Sequence, residues 1–503
     1  MATDQIIISK LNEVTAVLKC TDSQAMEMYN FFAEYAPNYI WHPRYKAGFW
    51  DGKLRFFNKQ TRQLPIGLLP NLARFCAKFS YKFSFSFDPT TLSAKFSEDA
   101  LYKVYDDIFS LESGIYPRDY QHNAILKSMN SCRGINRLST GAGKSVIIYT
   151  LSRIYTAQKK KTILIVPNVS LVEQMFADFK LYSGKDPSEY VTKLYAGQKP
   201  DFNKPVLITT WQSIQTKHQD FFKVYDSLLI DECHQSKSTV LQDICKKCVN
   251  AKNRLGFTGT MPDNPADKMT IIGSLGPVIY DLAAKTLMER EVLAQIKIKN
   301  IVLDYPQEYR VPGRSFDSEQ DLVYSLKRRN QVLLELFKQI PKTENVLILV
   351  HKIDHLKEIE TFLKANNRQK VEIIYGEIDA LDRERIRTDM DSIEGMDLVA
   401  TYGTLSTGIS VKRIHHIIFF SSYKSKIKIL QSIGRGLRTH STKEHMTLWD
   451  IVDDLRYTYQ GKKVDNYIYR HWKSRKSYYD EQGFGHETIS MVLPQNPKYI
   501  RGE

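Results

Sequence analysis

A chain of 503 residues exceeds what one ordinary hydrophobic core organises, and about 150 residues per domain predicts roughly three domains. The 42% hydrophobic share fits sizeable cores, no apolar run approaches the ~18 residues of a membrane span, and residues 1–11 lack the charged-then-apolar pattern of an export signal. The 71 basic against 56 acidic residues leave a formal charge of +15, which favours a polyanionic partner, most commonly nucleic acid.

Residues 1–95 read as a small α+β domain. Residues 23–36 predict a helix, with Thr21 and Gln24 spaced for a capping box. Residues 47–50 and 53–57 flank Asp51-Gly52, the dipeptide of a two-residue hairpin turn. Phe79, Tyr81, Phe83, Phe85 and Phe87 alternate with Lys and Ser, which predicts a half-buried antiparallel strand. Between 39 and 62, Tyr39, Trp41, Trp50, Phe56 and Phe57 interleave with Arg44, Lys46, Lys53, Arg55 and Arg62. That mixture suits stacking on bases and pairing with phosphates, and equally a hairpin with one core face and one solvated face.

From residue 96 short β-branched runs alternate with helical stretches: Thr162–Val166, Val206–Thr210, Ser227–Asp231 and residues 254–257. The pattern restarts after residue 300 with Val346–Val350, residues 371–375, Asp397–Thr401 and residues 415–419. Strand–helix alternation builds parallel sheets covered on both faces. The expected architecture is therefore α/β, with units over 96–292 and 293–503 joined near 288–300. Near the C-terminus, residues 456–476 hold seven basic residues and one acid, with Val464, Ile468 and Trp472 spaced to pack one face of a terminal helix on the second unit. The six cysteines are scattered apart from Cys245 and Cys248. A lone C-x-x-C reads as two ordinary thiols before it reads as zinc, in a reducing, cytoplasmic setting.

Residues 138–145 (LSTGAGKS) follow a candidate strand at 134–138 and precede an apolar helix at 146–155. This is the context of a phosphate-cradling loop, although Leu138 stands where the full pattern has its first glycine. Thr140, Gly141, Ala142 and Gly143 would wrap phosphate oxygens with backbone N–H groups. Lys144 would reach the β- and γ-phosphates, and the Ser145 hydroxyl would ligate Mg2+. Asp231 and Glu232 end an apolar strand, at the sheet edge where α/β ligands bind. There Asp231 suits holding the metal and Glu232 suits polarising an attacking water.

At Asp231-Glu232-Cys233-His234 the chain resembles the D-E-x-H box of superfamily-two helicases, which are built from two tandem RecA-like lobes. Further signatures of that family fall in order. Arg118-Asp119-Tyr120-Gln121 resembles the adenine-reading Q motif. Pro167, Leu171 and Gln174 match a strand-contacting segment, and so does Thr209 to Ser213. Thr258-Gly259-Thr260 stands at the coupling motif, which with His234 links the ATP site to movement. Thr401 to Ser410 (TYGTLSTGIS) resembles motif five and includes Gly408 as a nucleotide contact. Residues 431–438 fit Q-x-x-G-R-x-x-R, with Gln431 near the attacking water and Arg435 and Arg438 on the γ-phosphate. The arginines' forked donors suit a phosphoryl group gaining charge. The resemblance implies that they act when the second lobe closes on the first.

The family grips one strand through sugar and phosphate, which places nucleic-acid contacts near Pro167, Thr209, Gln212, His351, Thr401 and Gly403. Within the family the whole chain resembles the phage recombination and repair helicases. That implies ATP- and Mg2+-dependent work, 3′ to 5′, on single-stranded and branched DNA and on RNA–DNA hybrids. It further implies a monomer acting in the host cytoplasm, without membrane contact. The alternatives are a restriction-enzyme motor, a translocase or annealing protein that separates no strands, and a binding module with a dead ATP site. The intact Lys144, Asp231, Glu232, Arg435 and Arg438 argue against the last.

Overall fold

The computed structural model describes residues 5–405 and 411–493, and it divides into two compact units, 1–282 and 283–503. The division falls upstream of the expected junction. Residues 288–300 are no linker, because the helix Ala284–Glu289 and a ten-residue strand from Gln295 both belong to the second unit.

The first unit opens with β1 (Gln5–Lys10), β2 (Thr15–Lys19), β3 (Ala33–Tyr35), β4 (Lys53–Arg55), β5 (Gln63–Pro65) and β6 (Lys82–Phe85). The main sheet has the order β5-β2-β1-β6, and β3–β4 form a separate antiparallel pair. The first helix, Asp22–Phe31, starts at the expected capping box: Thr21 Oγ1 accepts from Gln24 N at 3.2 Å, and Gln24 Oε1 accepts from Thr21 N at 2.9 Å. It ends early because the chain turns directly into β3.

Two expectations in this domain need correction. The run 79–87 is not one antiparallel strand. Phe79 closes the helix Leu69–Phe79, Ser80 turns through φ +59°, and the remaining β6 pairs parallel to β1 at the sheet edge. Nor does Asp51-Gly52 join adjacent strands, since Pro43 starts a helical turn at Pro43–Lys46 and β4 pairs back to β3. Gly52 still turns through φ +79°, with the Tyr39 ring packed where a Cβ would stand.

The core of this domain is completed by Met269 and Ile272 of the helix Pro265–Leu275. Gly67 lies against the same helix so closely that a Cβ would sit 2.0 Å from the Ile272 carbonyl oxygen. Glu13 adds an ion pair to Arg133 at 3.4 Å. The domain is thus built into the first unit.

The remaining strands of that unit are β7 (Arg133–Leu138), β8 (Thr162–Val166), β9 (Val191–Leu194), β10 (Val206–Thr210), β11 (Ser227–Asp231), β12 (Asn253–Thr258) and β13 (Val278–Leu282). They form one parallel sheet in the order β13-β7-β12-β11-β8-β10-β9. Its central strands are buried on both faces, which explains the mainly apolar runs of β8 and β10, while β12 buries Asn253 and Arg254 as well. Cys245 and Cys248 lie in the core, where burial raises their thiols to about 11 and about 12, and Arg254 donates to both of their carbonyls.

The second unit repeats the plan with β14 (Gln295–Asp304), β15 (Val346–Val350), β16 (Val371–Ile374), β17 (Asp397–Thr401), β18 (His416–Phe419) and β19 (His445–Asp454). After the hairpin β20 (Tyr457–Tyr459) and β21 (Lys462–Val464), β22 (His486–Val492) completes a parallel sheet in the order β16-β17-β15-β18-β19-β14-β22. The architecture is two tandem RecA-like lobes preceded by a small α+β domain. Val464 ends the hairpin instead of joining the terminal helix, Tyr467–Gln482, as expected. Ile468 and Trp472 do pack inward, and Arg475 is buried against Asp450 at 2.7 Å, which removes one cation from the basic surface. No helix of the described residues is long and apolar enough to cross a membrane.

Candidate active site

In the first lobe the loop after β7 turns through Gly141 (φ +87°) and Gly143 (φ +75°) into the helix Lys144–Ala157. No side chain caps this helix, so its first N–H groups are available to an anion. A Cβ at Gly143 would stand 2.3 Å from Gln121 Nε2, so glycine is needed there for contact as well as for conformation. Gln121 folds back from its own helix start. Its Oε1 accepts from Arg118 N at 2.9 Å and its Nε2 donates to the Ala142 carbonyl at 2.9 Å, tying the Q-motif segment to the loop.

Asp231 and Glu232 close β11 at the same edge. Lys144 Nζ lies 3.7 Å from Glu232 Oε1, so the loop's cation and the strand's carboxylate face one another. Burial, then the neighbouring Glu232, raises the Asp231 carboxyl to about 6, against the pull of Lys144. Glu232 holds φ +49°, an uncommon conformation for a residue with a Cβ. Its Oε2 lies 3.2 Å from His234 Nδ1, which is 3.0 Å from Thr258 Oγ1. The Thr258 hydroxyl in turn lies 3.0 Å from the Thr260 carbonyl. One chain of contacts therefore joins Lys144, Glu232, His234, Thr258 and Thr260, and Gly259 packs beside Thr140. The Ser145 hydroxyl and the Asp231 carboxylate are hard oxygen donors and fit Mg2+. Tyr182, which no motif announced, holds Ser145 Oγ at 2.7 Å.

In the second lobe, Gln431 and Arg435 lie one turn apart on the helix Lys426–Gly436, and Arg438 follows its end. The opposite face, including Ile429, Ile433 and Gly436, is buried, and a Cβ at Gly436 would meet Ile417 at 2.8 Å. Thr401 Oγ1 lies 2.7 Å from Thr404 Oγ1, and Gly403 and His351 are exposed at the ends of β17 and β15. Tyr423 was not foreseen. Its ring stacks on Tyr402 at 4.7 Å and lies near His351, with Lys428 Nζ 5.4 Å from its centre. Gly408 lies outside the described residues.

The chain is 31% identical over 498 residues to the ATP-dependent DNA helicase uvsW of Enterobacteria phage T4, spanning 95% of this chain and 97% of that protein. The chain belongs to the UvsW family of superfamily-two helicases. Like other members of the UvsW family it is an ATP-dependent helicase, an enzyme that binds nucleic acid. The crystal structure of T4 UvsW matches 97% of this chain and all of its own, at 29% identity and TM-score 0.52. Residues 8–86 match the family model for the N-terminal part of DNA helicase UvsW. Residues 114–263 match that of the type III restriction enzyme res subunit, and 328–440 that of the helicase conserved C-terminal domain. A fragment of an HsdR subunit from Vibrio vulnificus aligns with 88% of this chain and 76% of its own at TM-score 0.57 and 15% identity, which shows the shared fold alone.

One expected nucleic-acid contact needs correction. The Thr209 side chain is fully buried, and its hydroxyl donates to the Leu194 carbonyl at 2.8 Å, so it has no surface to offer a strand. Gln212 is exposed and Pro167 half-buried at the same edge.

Proposed function

We propose that this chain hydrolyses ATP with Lys144, Ser145, Asp231 and Glu232, assisted by Gln431, Arg435 and Arg438, to remodel forks, four-way junctions and R-loops, moving 3′ to 5′. The observation that carries the reading is the Lys144–Glu232 approach and its continuation through His234 to Thr258. Lys144 and the helix N-terminus neutralise phosphate charge, Glu232 polarises the attacking water, and Arg435 and Arg438 meet the charge that grows on the phosphoryl oxygens. Bound at Ser145 and Asp231, Mg2+ would supply further neutralisation of phosphate charge. Gln121 and Arg118 read the adenine, with Thr140, Gly141, Ala142, Gly143 and Gly408 around the nucleotide.

Pro167, Gln212, His351, Thr401 and Gly403 hold the strand by its backbone, so sequence preference is weak. The near-complete span of the T4 helicase favours this reading over a restriction-enzyme motor. Two archaeal and bacterial relatives, at 24% and 23% identity, carry the names 3′-5′ translocase and 3′-5′ helicase, which supports the direction. The functional unit is a monomer, working in recombination, repair and replication control in a host cytoplasm.

The test compares the native protein with Lys144→Ala and Glu232→Gln for ATP hydrolysis and unwinding on single strands, forks, junctions and R-loops. Both variants should lose hydrolysis, and substantial hydrolysis in both would refute the assignment. Native protein that hydrolyses ATP on single strands but remodels none of the branched substrates would refute the substrate class.

A further inference from the structure

A buried tyrosine stands against the phosphate-loop hydroxyl assigned to Mg2+. Tyr182 lies in the last turn of the helix Val169–Ser183 and is 6% exposed, and its hydroxyl oxygen is 2.7 Å from Ser145 Oγ. The position of this tyrosine is fixed from several sides. Its carbonyl accepts from Ser110 N at 2.8 Å, and a Cβ at the following Gly184 would stand 2.8 Å from Ser110 Oγ. The ring packs on Tyr149 at 5.5 Å and on Phe109 at 6.3 Å. Tyr149 sits one turn beyond Ser145 on the helix Lys144–Ala157, and its own hydroxyl donates to the Ile108 carbonyl. Residues 108–110 and two helices therefore aim the Tyr182 hydroxyl at the loop.

The chemistry of a serine ligand says what that hydroxyl is for. A serine hydroxyl carries one proton and two lone pairs. To hold Mg2+, one lone pair must face the cation and the proton must turn away from it. The octahedral geometry required is strict, so a hydroxyl free to rotate is a poor ligand. At 2.7 Å the Tyr182 oxygen can accept the proton and fix that rotation. The packing around Tyr182 consists of ring contacts that phenylalanine would also make. What the tyrosine hydroxyl adds is the bond to Ser145.

We propose that Tyr182 is a positioning residue for the metal: by accepting the Ser145 proton it turns a serine lone pair toward Mg2+. This rests on the reading above that Ser145 holds the metal. Tyr182 acts through Ser145 and touches neither nucleotide nor cation.

The experiment uses the full chain and a fluorescent, non-hydrolysable ATP analogue, with affinity measured in EDTA and again in saturating Mg2+. Native protein should bind more tightly with the metal. In Tyr182→Phe the affinity in EDTA should be kept and the gain brought by Mg2+ should shrink about ten-fold, as loss of a group that orients a metal ligand implies. Ser145→Ala should lose at least as much of the gain, and adding Tyr182→Phe to it should cost nothing further. A packing fault would weaken both affinities together, so the split between them separates positioning from structure.

An unaltered gain in Tyr182→Phe, with Ser145→Ala losing its own, would overturn the inference and leave Ser145 as a metal ligand. Native protein whose affinity ignores Mg2+, or Ser145→Ala that keeps the full gain, would overturn both. Equal weakening of Tyr182→Phe in EDTA and in Mg2+ would assign the hydroxyl to packing and overturn the inference alone. So would a larger gain in Tyr182→Phe, which would make the contact a latch that metal binding has to break.

Discussion

His234 Nδ1 lies 3.0 Å from Thr258 Oγ1, so the carboxylate end of β11 and the end of β12 share one hydrogen-bonded contact. Glu232 is on one side of this contact and the Thr260 carbonyl on the other. A change at the γ-phosphate that moves Glu232 is thereby passed to the segment leading into the helix Pro265–Leu275. Thr258→Ala removes the shared hydroxyl, which also donates to Glu232 Oε2 at a long 3.5 Å, while the Lys144 and Glu232 side chains themselves are kept. Unwinding of a fork should fall by about ten-fold or more, the worth of one buried hydrogen bond in a charged network, while DNA-stimulated hydrolysis falls much less. Hydrolysis and unwinding measured in the same reaction check this, and a parallel fall in both would refute it.

The second lobe has its own anchor. Lys443, 7% exposed, donates to the carbonyls of Gly436, Lys412 and Ile414 at 2.8, 2.9 and 3.1 Å. Three donors meet three acceptors, joining the end of the arginine-bearing helix to the chain before β18. Lys443→Met keeps the length and strands the carbonyls, which should cost roughly 2–4 kcal/mol. The maximal rate of ATP hydrolysis should fall about ten-fold with little change in KM, because Arg435 and Arg438 matter most once charge has moved. Lys443→Arg should not rescue, since a planar fork does not match three converging carbonyls. Denaturant midpoints and steady-state kinetics report both effects.

Much of this was legible because central strands of a parallel sheet are buried on both faces. β8, β10, β11, β15 and β17 read directly from unbroken apolar runs. The phosphate loop and the acid pair were legible as local motifs. β19 was hidden because Asp450, Asp453 and Asp454 look like surface residues, yet Asp450 is buried against Arg475 and Asp453 against Arg329. β14 was hidden by alternating lysines at 297 and 299, and β22 by lying at a sheet edge where burial is partial, whereas β6 was legible as a strand within residues 79–87 and only its length and parallel pairing were not. Tyr182 and Tyr423 escaped because their partners are distant in sequence. The Thr209 error has the opposite cause: a motif assigns a position, but only the fold says which way the hydroxyl faces.

The N-terminal domain is attached through a contact that admits no side chain. At Gly67 a Cβ would stand 2.0 Å from the Ile272 carbonyl oxygen and 2.7 Å from that of Gly273, and neither backbone atom can swing aside. Gly67→Ala should destabilise the first unit by about 1–3 kcal/mol and loosen its N-terminal domain. Limited proteolysis should then release a fragment of about 90 residues faster than from native protein. An unchanged digestion pattern would show that the helix Pro265–Leu275 is not the anchor.

His355 makes stability depend on acid. Its ring is stacked on Tyr324 at 4.3 Å and on Phe420 at 5.7 Å, with no hydrogen-bond partner for either nitrogen among the described residues. Burial first, then Arg329 and Lys327, lower its pKa to about 3. Its folded pKa is thus depressed below the unfolded 6.5, so from pH 6.5 down to about 3 the unfolded chain takes up a proton that the folded chain refuses. Stability is therefore full above pH 6.5 and is lost as the pH falls, by roughly 1–2 kcal/mol at pH 5 from this residue alone. His415 and His471, both held at about 4 chiefly by burial, steepen the loss. His355→Phe keeps the stack and removes the proton site, so its stability advantage over native protein should grow as the pH drops from 7 to 5. Denaturant unfolding at the two pH values measures that growth, and an equal pH dependence in both proteins would place the acid sensitivity elsewhere.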